Sequence, residues 1–302
     1  MRIVHEWGKY IAVEKNGVER LRYNYQLPDD PAPSAPKPFF HPIRTPEGLE
    51  VTAEAPLDHT WHRGLWFTFK FVNGVNYWEE RDAVFGRQVT LEPPAIHASD
   101  EIEDVVRISG PLEWRDAKGG AEAVRIDEQR VLDIRFAEDD ALIVDWHSTL
   151  VPREDVTLDR TPYTTWGGYG GVVVRLTQAV QKQRILLANR TETDRPTGQP
   201  HPWGAIDAQL DTLQDRYVGF LFLPSPDNRR YPEPMYGTAK PFFNFFGPAP
   251  LFHEPLKLAK GEPLRHACRV VILPRRVDAS EADGYHREWL RLHEKGSAAE
   301  AG

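Results

Sequence analysis

Hydrophobic and polar residues alternate along most of this chain with a period of two, the pattern of a β-strand with one buried face. The alternation is regular between Ala141 and Val151. One face of this segment carries Leu142, Val144, Trp146 and Leu150, and the other carries Asp145, His147 and Thr149. A strand is therefore predicted here, with a polar face that suits the wall of a cleft as well as a solvated surface.

Similar patterns predict strands in much of the remaining chain. They cover Gly86–Leu91, Asp104–Ser109, Leu112–Trp114, Ala123–Phe136, Val172–Leu176, Tyr217–Leu223 and Leu264–Leu273. Two Asn-Gly pairs, Asn16-Gly17 and Asn73-Gly74, each join two apolar segments and favour the type I′ turn of a β-hairpin. The polar residues 189–204 are expected to form a loop.

One segment, at about 281–295, has the periodicity of a helix. Its apolar residues are Ala282, Tyr285, Trp289 and Leu292. Ser280 with Asp283 resembles a capping arrangement, and Gly296 is a stop signal. Since βα alternation and internal repeats are not evident, the sequence predicts an all-β fold. We expect a large antiparallel β-sandwich that forms one domain over residues 1–302, with a short C-terminal helix.

Charge and composition exclude several classes of partner. The formal net charge is −8 and the isoelectric point is about 5.8, with no Lys/Arg cluster, so no nucleic-acid partner is expected. No run of about 20 apolar residues occurs, so no membrane segment is expected. The N-terminus lacks the apolar stretch of a signal peptide, and Cys268 is the only cysteine. These features predict a cytoplasmic protein in which Cys268 is a small buried side chain.

The candidate chemistry is concentrated between Phe39 and Glu80. Three of the eleven histidines fall within 22 residues here, and three of the nine tryptophans lie between positions 61 and 78. Imidazoles, indoles, amides and a guanidinium at this density are typical of a polar-aromatic pocket, because a plain core uses mostly aliphatic side chains.

Within this segment, His59 and His62 are the predicted proton-transfer groups, assisted by Asp58 or Glu79. Imidazole titrates near neutral pH, and an adjacent carboxylate orients it. A spacing of three places the two histidines on opposite faces of a straight strand, whereas a turn brings them together. Two alternatives stay open, a metal site and a purely structural pair of histidines. No cofactor is expected.

A second group of residues is predicted to bind the substrate. Arg63, Asn73 and Asn76 are expected to hold hydroxyls or a carboxylate. Flat indoles can stack on a sugar ring, and this role is assigned to Trp66, Trp78 and Trp203. His41 and His147 complete the predicted binding set. Whether these residues meet in one concavity depends on how the sheet faces are paired, which the sequence leaves open.

Several motifs of this chain resemble those of the PmoA-like family of bacterial proteins. They are Phe39-Phe40-His41-Pro42, Asp58-His59-Thr60-Trp61-His62-Arg63-Gly64-Leu65-Trp66, Val72-Asn73-Gly74-Val75-Asn76-Tyr77-Trp78, Gly168-Tyr169-Gly170-Gly171-Val172, Pro226-Asp227-Asn228 and Phe245-Phe246-Gly247-Pro248. The resemblance implies a supersandwich similar to galactose mutarotase. It also implies a role in bacterial sugar catabolism, with a sugar held on a concave sheet face.

Together these features predict a carbohydrate-active enzyme that uses histidine-centred acid/base chemistry. The reaction classes are epimerase, lyase or hydrolase, and the expected partner is a small sugar or oxidised sugar. Two alternatives remain. One is a non-catalytic sugar-binding or accessory protein, and the other is a metal-dependent enzyme of the oxygenase type. The oligomeric state is left open.

Overall fold

The computed structural model describes residues 1–27, 36–98, 105–161 and 169–300. Within these ranges the chain forms the strands β1 (Arg2–Glu6), β2 (Tyr10–Lys15), β3 (Val18–Asn24), β4 (Phe39–Ile43), β5 (Leu65–Phe69), β6 (Phe71–Val72), β7 (Val75–Asn76), β8 (Arg87–Thr90), β9 (Ala95–Ala98), β10 (Val106–Asp116), β11 (Ala123–Phe136), β12 (Leu142–Pro152), β13 (Val156–Asp159), β14 (Gly170–Arg175), β15 (Gln181–Leu187), β16 (Glu192–Thr193), β17 (Thr197–His201), β18 (Gly204–Asp211), β19 (Arg216–Pro224), β20 (Glu233–Lys240), β21 (Phe243–Pro248), β22 (Leu256–Leu258) and β23 (Leu264–Leu273), followed by the helix α1 (Ala279–Glu300).

Two large antiparallel sheets contain most of these strands. The nine-stranded sheet has the order β1-β2-β3-β4-β5-β14-β21-β20-β17. The ten-stranded sheet has the order β16-β15-β18-β19-β23-β12-β11-β10-β8, and β9 pairs with β10 at its edge. A small sheet, β22-β13-β6-β7, lies beside them. The prediction of a large antiparallel β-sandwich with a C-terminal helix is confirmed.

The main hydrophobic core lies between the two large sheets. It combines Phe67 and Val174 of the nine-stranded sheet with Trp146 and Val270 of the ten-stranded sheet. Cys268 is fully buried in the same core, as predicted. The side chains that alternate with these core residues point to the outer faces of the sheets, where polar and aromatic groups are available for chemistry.

Local sequence signals placed several elements correctly. Both Asn-Gly pairs form hairpin turns with positive φ at each turn residue, 53° and 79° at Asn16 and Gly17 and 49° and 79° at Asn73 and Gly74. The strands predicted at Ala123–Phe136 and Leu264–Leu273 are β11 and β23. Gly168 and Asp104, which belong to a quoted motif and a predicted strand, lie outside the described residues.

Three predictions about elements are wrong. Residues 189–204 are not a plain loop, because they contain β16 and β17. The helix begins at Ala279 and continues past Gly296. Its first turn is capped by Asp278, whose carboxylate accepts hydrogen bonds from the backbone N–H groups of Ser280 and Glu281 at 2.8 and 3.2 Å.

Within the described ranges, no helix has the length and apolar character needed to cross a membrane.

Candidate functional site

A cavity of about 380 Å³ opens on the outer face of the nine-stranded sheet. Its walls are mostly aromatic, formed by Trp61, Trp78, Tyr169, Tyr236, Phe243 and Phe245. Five of its polar wall residues are His59, Glu79, Arg195, Thr238 and Lys240. A concave, mainly apolar surface with a small set of polar groups is the usual form of a small-molecule site.

Strand alternation explains why these side chains meet. On β20, Tyr236, Thr238 and Lys240 occupy alternate positions and face the cavity, while Met235 and Ala239 face inward and are buried. On β21, Phe245 faces the cavity and Phe246 enters the main core. Two loops, 53–64 and 77–86, add five more lining residues, and Tyr169 and Arg195 complete the walls. Most of the segment with the densest chemistry therefore lies at or near this cavity.

His59 and His62 are brought together by a turn. The backbone N–H of His62 donates to the carbonyl of His59 at 2.9 Å, and their rings are stacked with centroids 4.7 Å apart. The His59 ring also stacks on Phe243, with centroids 4.7 Å apart, and the rings of His62 and Phe243 are 6.3 Å apart. Of the two arrangements that the spacing allowed, the structure has the turn. The His59 imidazole is thus held in one orientation at the cavity wall.

Asp58 orients the His59 ring. Its carboxylate lies 2.9 Å from His59 Nδ1 and accepts hydrogen bonds from Arg175 Nη2 at 2.7 and 2.9 Å. Burial alone raises the pKa of Asp58, but the hydrogen bonds from Arg175 and His59 hold it below its usual value. An ionised Asp58 fixes the proton of His59 on Nδ1, so Nε2 is the nitrogen that can exchange a proton with a ligand. Among the described residues, Nε2 of His59 has no hydrogen-bond partner.

Arg175 holds the pair of Asp58 and His59 in place, and the sequence analysis did not identify it. Its side chain is completely buried at the end of β14, and its guanidinium lies 4.6 Å from the centroid of the Phe243 ring. Besides Asp58, Nη2 donates to the carbonyl of Phe242 at 3.0 Å. Because one guanidinium contacts both the 53–64 loop and the turn before β21, it fixes two walls of the cavity relative to each other.

His62 lies deeper than His59 and is only 3% exposed. Its ring stacks on Phe245 at 5.2 Å and lies 5.2 Å from the Trp66 ring. Burial holds its pKa well below the usual value, with nearby Arg175 acting in the same direction. Its Nδ1 is buried without a hydrogen-bond partner in the described structure. His62 is therefore a neutral ring in the cavity floor, and its predicted role in proton transfer stays a prediction.

Glu79 is part of a hydrogen-bonded group on the opposite wall. Both of its oxygens accept from Lys70 Nζ at 2.6 Å, and Asn76 Nδ2 donates to one of them at 2.8 Å. Lys70 also donates to the Tyr169 hydroxyl at 2.8 Å. Burial raises the pKa of Glu79, but Lys70 and Asn76 outweigh it, so the net shift is downward. Burial, followed by the nearby charge of Glu79, raises the pKa of Tyr169, so its hydroxyl keeps its proton.

Four other predicted residues lie close to the cavity with different surroundings. Trp78 lines it, and its role as a stacking ring stays a prediction. Trp66 is fully buried beneath the floor, with its ring 5.3 Å from that of Trp78. Arg63 is held by Glu80 at 2.5 Å, behind the cavity wall. His41 Nδ1 contacts the Thr52 hydroxyl at 3.0 Å, and burial lowers the pKa of His41 to about 4.

Three predicted binding residues do not line this cavity, a point that the sequence had left open. Asn73 occupies a hairpin turn, and its Oδ1 accepts from the backbone N–H of Thr157 at 2.9 Å. Trp203 packs under α1 and donates to Asp283 at 3.0 Å. His147 lines another cavity, of about 600 Å³, on the outer face of the ten-stranded sheet. The two large sheets turn their outer faces in opposite directions, which separates His147 from His59.

The structure also bears on the metal alternative. Within the described ranges, no group of three or more His, Cys, Asp or Glu side chains is placed to hold a metal ion. His59 and His62 stack ring on ring, and the carboxylate nearest to them, that of Asp58, is already bound to Arg175.

Fold and cavity together define an antiparallel β-sandwich protein with an aromatic cavity on the outer face of one sheet. By sequence the chain belongs to DUF6807, a family of unknown function, whose family model matches residues 10–287. The resemblance to the PmoA-like family was therefore wrong, because the matching family is a different one. All of the quoted motifs lie inside the matched range, but their likeness to another family did not identify the chain.

Among solved structures, the chain is similar to a GalM/aldose epimerase homologue from C. elegans. The sequence identity is 8%, the alignment covers 91% of this chain and 98% of that chain, and the TM-score is 0.32. That likeness is too distant to say anything about a ligand or a reaction. No curated protein matches the chain by sequence.

Proposed function

We propose that the aromatic cavity binds a small carbohydrate and that His59 exchanges a proton with the bound sugar. A sugar ring has an apolar face of C–H groups and a rim of hydroxyls. The cavity offers the complementary surfaces, since Trp78, Phe243 and Phe245 supply flat faces while Glu79 and Thr238 supply polar atoms. The volume of about 380 Å³ suits a ligand of one or two rings.

One observation carries the catalytic part of the proposal. His59 is bound through Nδ1 to an ionised carboxylate, and its side chain is one-third exposed at the cavity wall. This arrangement leaves Nε2 as the general acid or base, with Asp58 stabilising the charged imidazolium that forms during transfer. Arg175 acts as a positioning residue, because it holds Asp58 and does not line the cavity.

Such chemistry also requires polar groups that stabilise an oxygen of the substrate. Tyr169 and Glu79 are the groups of the cavity wall that suit this requirement. Tyr169 stays protonated and its hydroxyl offers a polar contact to a sugar oxygen, while Glu79, whose oxygens already accept from Lys70 and Asn76, adds negative charge to the wall. Lys70 links the two and balances the charge of Glu79. An epimerase, a lyase and a hydrolase all need a proton moved at one site and an oxygen stabilised at another.

The test uses His59→Ala with His97→Ala as the matched control. His97 is an exposed histidine that lines the other cavity. The wild type is incubated with a panel of monosaccharides and glycosides, and products are followed by NMR. For a substrate that is turned over, we expect His59→Ala to reduce kcat by about 10²–10⁴-fold with a small change in KM. His97→Ala should match the wild type. Full activity of His59→Ala would overturn the catalytic assignment.

A second candidate, a sugar-binding protein without catalysis, is favoured by one observation. The oxygens of Glu79 already accept hydrogen bonds from Lys70 and Asn76. Among the described residues, His59 is therefore the one group of the cavity that a carboxylate orients and that has an accessible nitrogen for proton transfer. Titration calorimetry separates the two candidates. Binding of a sugar without any product after long incubation supports the binding protein, and product formation supports the enzyme.

A further inference from the structure

Three cationic side chains surround the mouth of the aromatic cavity. Arg195 and Lys240 belong to its wall, and the guanidinium of Arg81 lies 3.8 Å from the centroid of the Trp61 ring. All three residues are exposed. They lie on separate parts of the chain, the segment before β17, the end of β20 and the 77–86 loop, so the tertiary fold brings them to one place.

These cations lack the close carboxylate partners that other arginines of this protein have. Within the described ranges, Arg81 and Arg195 form no salt bridge, and the carboxylate nearest to Lys240, that of Asp194, is 3.9 Å away. By contrast, Arg175 and Arg63 are bound to carboxylates at 2.7 and 2.5 Å. Positive charge at the mouth is therefore only weakly compensated, by the long exposed pair of Lys240 with Asp194 and by Glu79, which lies near enough to Arg81 to feel its charge.

The acidic groups near the cavity offset this charge only in part, although Glu79 interacts with Arg81. Glu79 is the one carboxylate among the lining residues, and Lys70 holds both of its oxygens at 2.6 Å. The chain as a whole has a formal charge of −8, so a positive rim is contrary to its overall balance. A cationic rim on a low-dielectric, aromatic cavity attracts anions and strengthens their binding at the wall.

The sheet geometry places two of the cations on either side of one hydroxyl. Tyr236, Thr238 and Lys240 form one outward row of β20. The backbone N–H of Ala239 donates to the carbonyl of Asp194 at 2.8 Å, which holds the segment carrying Arg195 along this strand. Burial raises the pKa of Tyr236, and a hydrogen bond from Arg195 acts in the opposite direction, so Arg195 lies against the cavity wall.

We infer that the ligand is an acid sugar, whose carboxylate binds to Arg195 and Lys240 beside the Thr238 hydroxyl. This inference rests on the proposed function. The planar guanidinium of Arg195 matches a carboxylate in a two-pronged hydrogen bond, and Lys240 adds a point charge. Since Lys240 pairs with Phe243 across β20 and β21, and Phe243 stacks on His59, the sugar ring of a ligand bound here lies over the aromatic floor toward His59.

The test compares matched sugar pairs by titration calorimetry at pH 7.5 in low salt. The pairs are glucuronate with glucose and galacturonate with galactose, and benzoate serves as a carboxylate without a sugar ring. We expect each acid sugar to bind at least tenfold more tightly than its neutral counterpart. Arg195→Gln and Lys240→Gln should each weaken acid-sugar binding at least fivefold. The control Arg291→Gln removes the same charge from an exposed position on α1 and should change nothing.

Each outcome decides between the two proposals. Equal affinity for acid and neutral sugars overturns the acid-sugar inference and leaves the carbohydrate site standing. Acid-sugar binding that Arg195→Gln and Lys240→Gln do not weaken also overturns it, because the carboxylate is then held elsewhere. Binding of benzoate without any sugar contradicts the proposed function and retains the anion site. Binding of none of these probes contradicts both.

Discussion

Arg175 determines the geometry of the site, although it does not line the cavity. Its buried guanidinium is bound to Asp58, which in turn holds His59. A buried cation whose partner is removed keeps its desolvation penalty without the compensating attraction. The stability of the protein should therefore respond to Asp58 more strongly than the partial exposure of this residue suggests.

We expect Asp58→Asn to lower the free energy of unfolding by about 1–3 kcal/mol, because the charge of Arg175 is then unpaired. Asp194→Asn is the matched control, since that aspartate lies in an exposed pair with Lys240 at 3.9 Å. The control should change stability by less than about 0.5 kcal/mol. Urea denaturation at pH 7 measures both variants. Equal effects would show that the contact between Asp58 and Arg175 adds no stability.

Among the residues of the site, those that are adjacent in sequence could be predicted to act together, and those that are far apart could not. Asp58 and His59 are neighbours, so an oriented imidazole was an interpretable pattern. Arg175 is 117 residues from Asp58, at the end of a strand of valines, and only the pairing of β14 with β5 brings it close. For the same reason Tyr169, which is 99 residues from Lys70, was not identified as part of the site.

Among the structural elements, the 53–64 loop depends on Gly64. This glycine has φ +57°, and a Cβ atom on it would lie 2.2 Å from the carbonyl oxygen of Phe40. Its own backbone is bonded on both sides, donating to Ala53 at 2.8 Å and accepting from Arg175 at 2.7 Å. A glycine is thus required both for the left-handed conformation and for the close approach to β4.

We expect Gly64→Ala to lower the free energy of unfolding by at least about 2 kcal/mol, since backbone strain and overpacking act together. Gly119→Ala provides the control, because Gly119 also has positive φ, +93°, but a Cβ there meets no atom within 4 Å. In that variant, backbone strain alone should lower the free energy of unfolding by about 1–2 kcal/mol. Thermal and urea unfolding of both variants measure the difference. A Gly64→Ala protein as stable as Gly119→Ala would mean that β4 moves aside without cost.

The strands that the sequence predicted well are those specified by local pattern. β11 and β23 alternate regularly, and each hairpin turn has its Asn-Gly pair. β17 was missed because Gly198 and Pro200 within it are typical of loops. The structure tolerates them because β17 is an edge strand that pairs only with β20, with a register shift between Thr197 and Pro200. That pairing is a tertiary contact, which a local pattern does not contain.

At the scale of the whole molecule, the assignment of sheet faces limited the prediction of the site. All five residues of β5 are buried, Leu65 and Phe67 toward the main core and Trp66 toward the outer aromatic layer. A strand that is covered on both sides gives no sequence signal for which side is the core. For this reason the sequence did not show that Trp66 faces the outer aromatic layer whereas Leu65 and Phe67 face the main core.

A polar contact between the two large sheets links the stability of the whole molecule to pH. Glu233 of β20 is 1% exposed, and Asn228 donates to its Oε1 at 2.8 Å. Burial raises the pKa of Glu233 to about 8, although Asn228 and Arg230 act in the opposite direction. His266 of β23 lies 3.6 Å away, and burial lowers its pKa to about 4. Near neutral pH, both partners are therefore mostly uncharged in the folded protein.

The sign of the pH dependence follows from these shifts. The unfolded chain releases the Glu233 proton near its ordinary pKa of 4.5, whereas the folded protein keeps it up to about 8. The folded state thus binds the extra proton between these values. The stability associated with a neutral Glu233 is fully present below about pH 4.5 and is lost as the pH rises to 8, by at most about 1.4 kcal/mol per pH unit. Glu233→Gln cannot ionise and avoids this loss.

We expect the stability of Glu233→Gln relative to the wild type to increase by about 2 kcal/mol between pH 6 and pH 8 and to level off above that. Urea denaturation of both proteins at pH 6, 7, 8 and 9 measures the difference. His266 adds no titration between pH 6 and 9, because burial lowers its pKa to about 4, and any fixed effect of the amide appears equally at every pH. A difference that stays constant from pH 6 to 9 would mean that Glu233 is already ionised between the sheets.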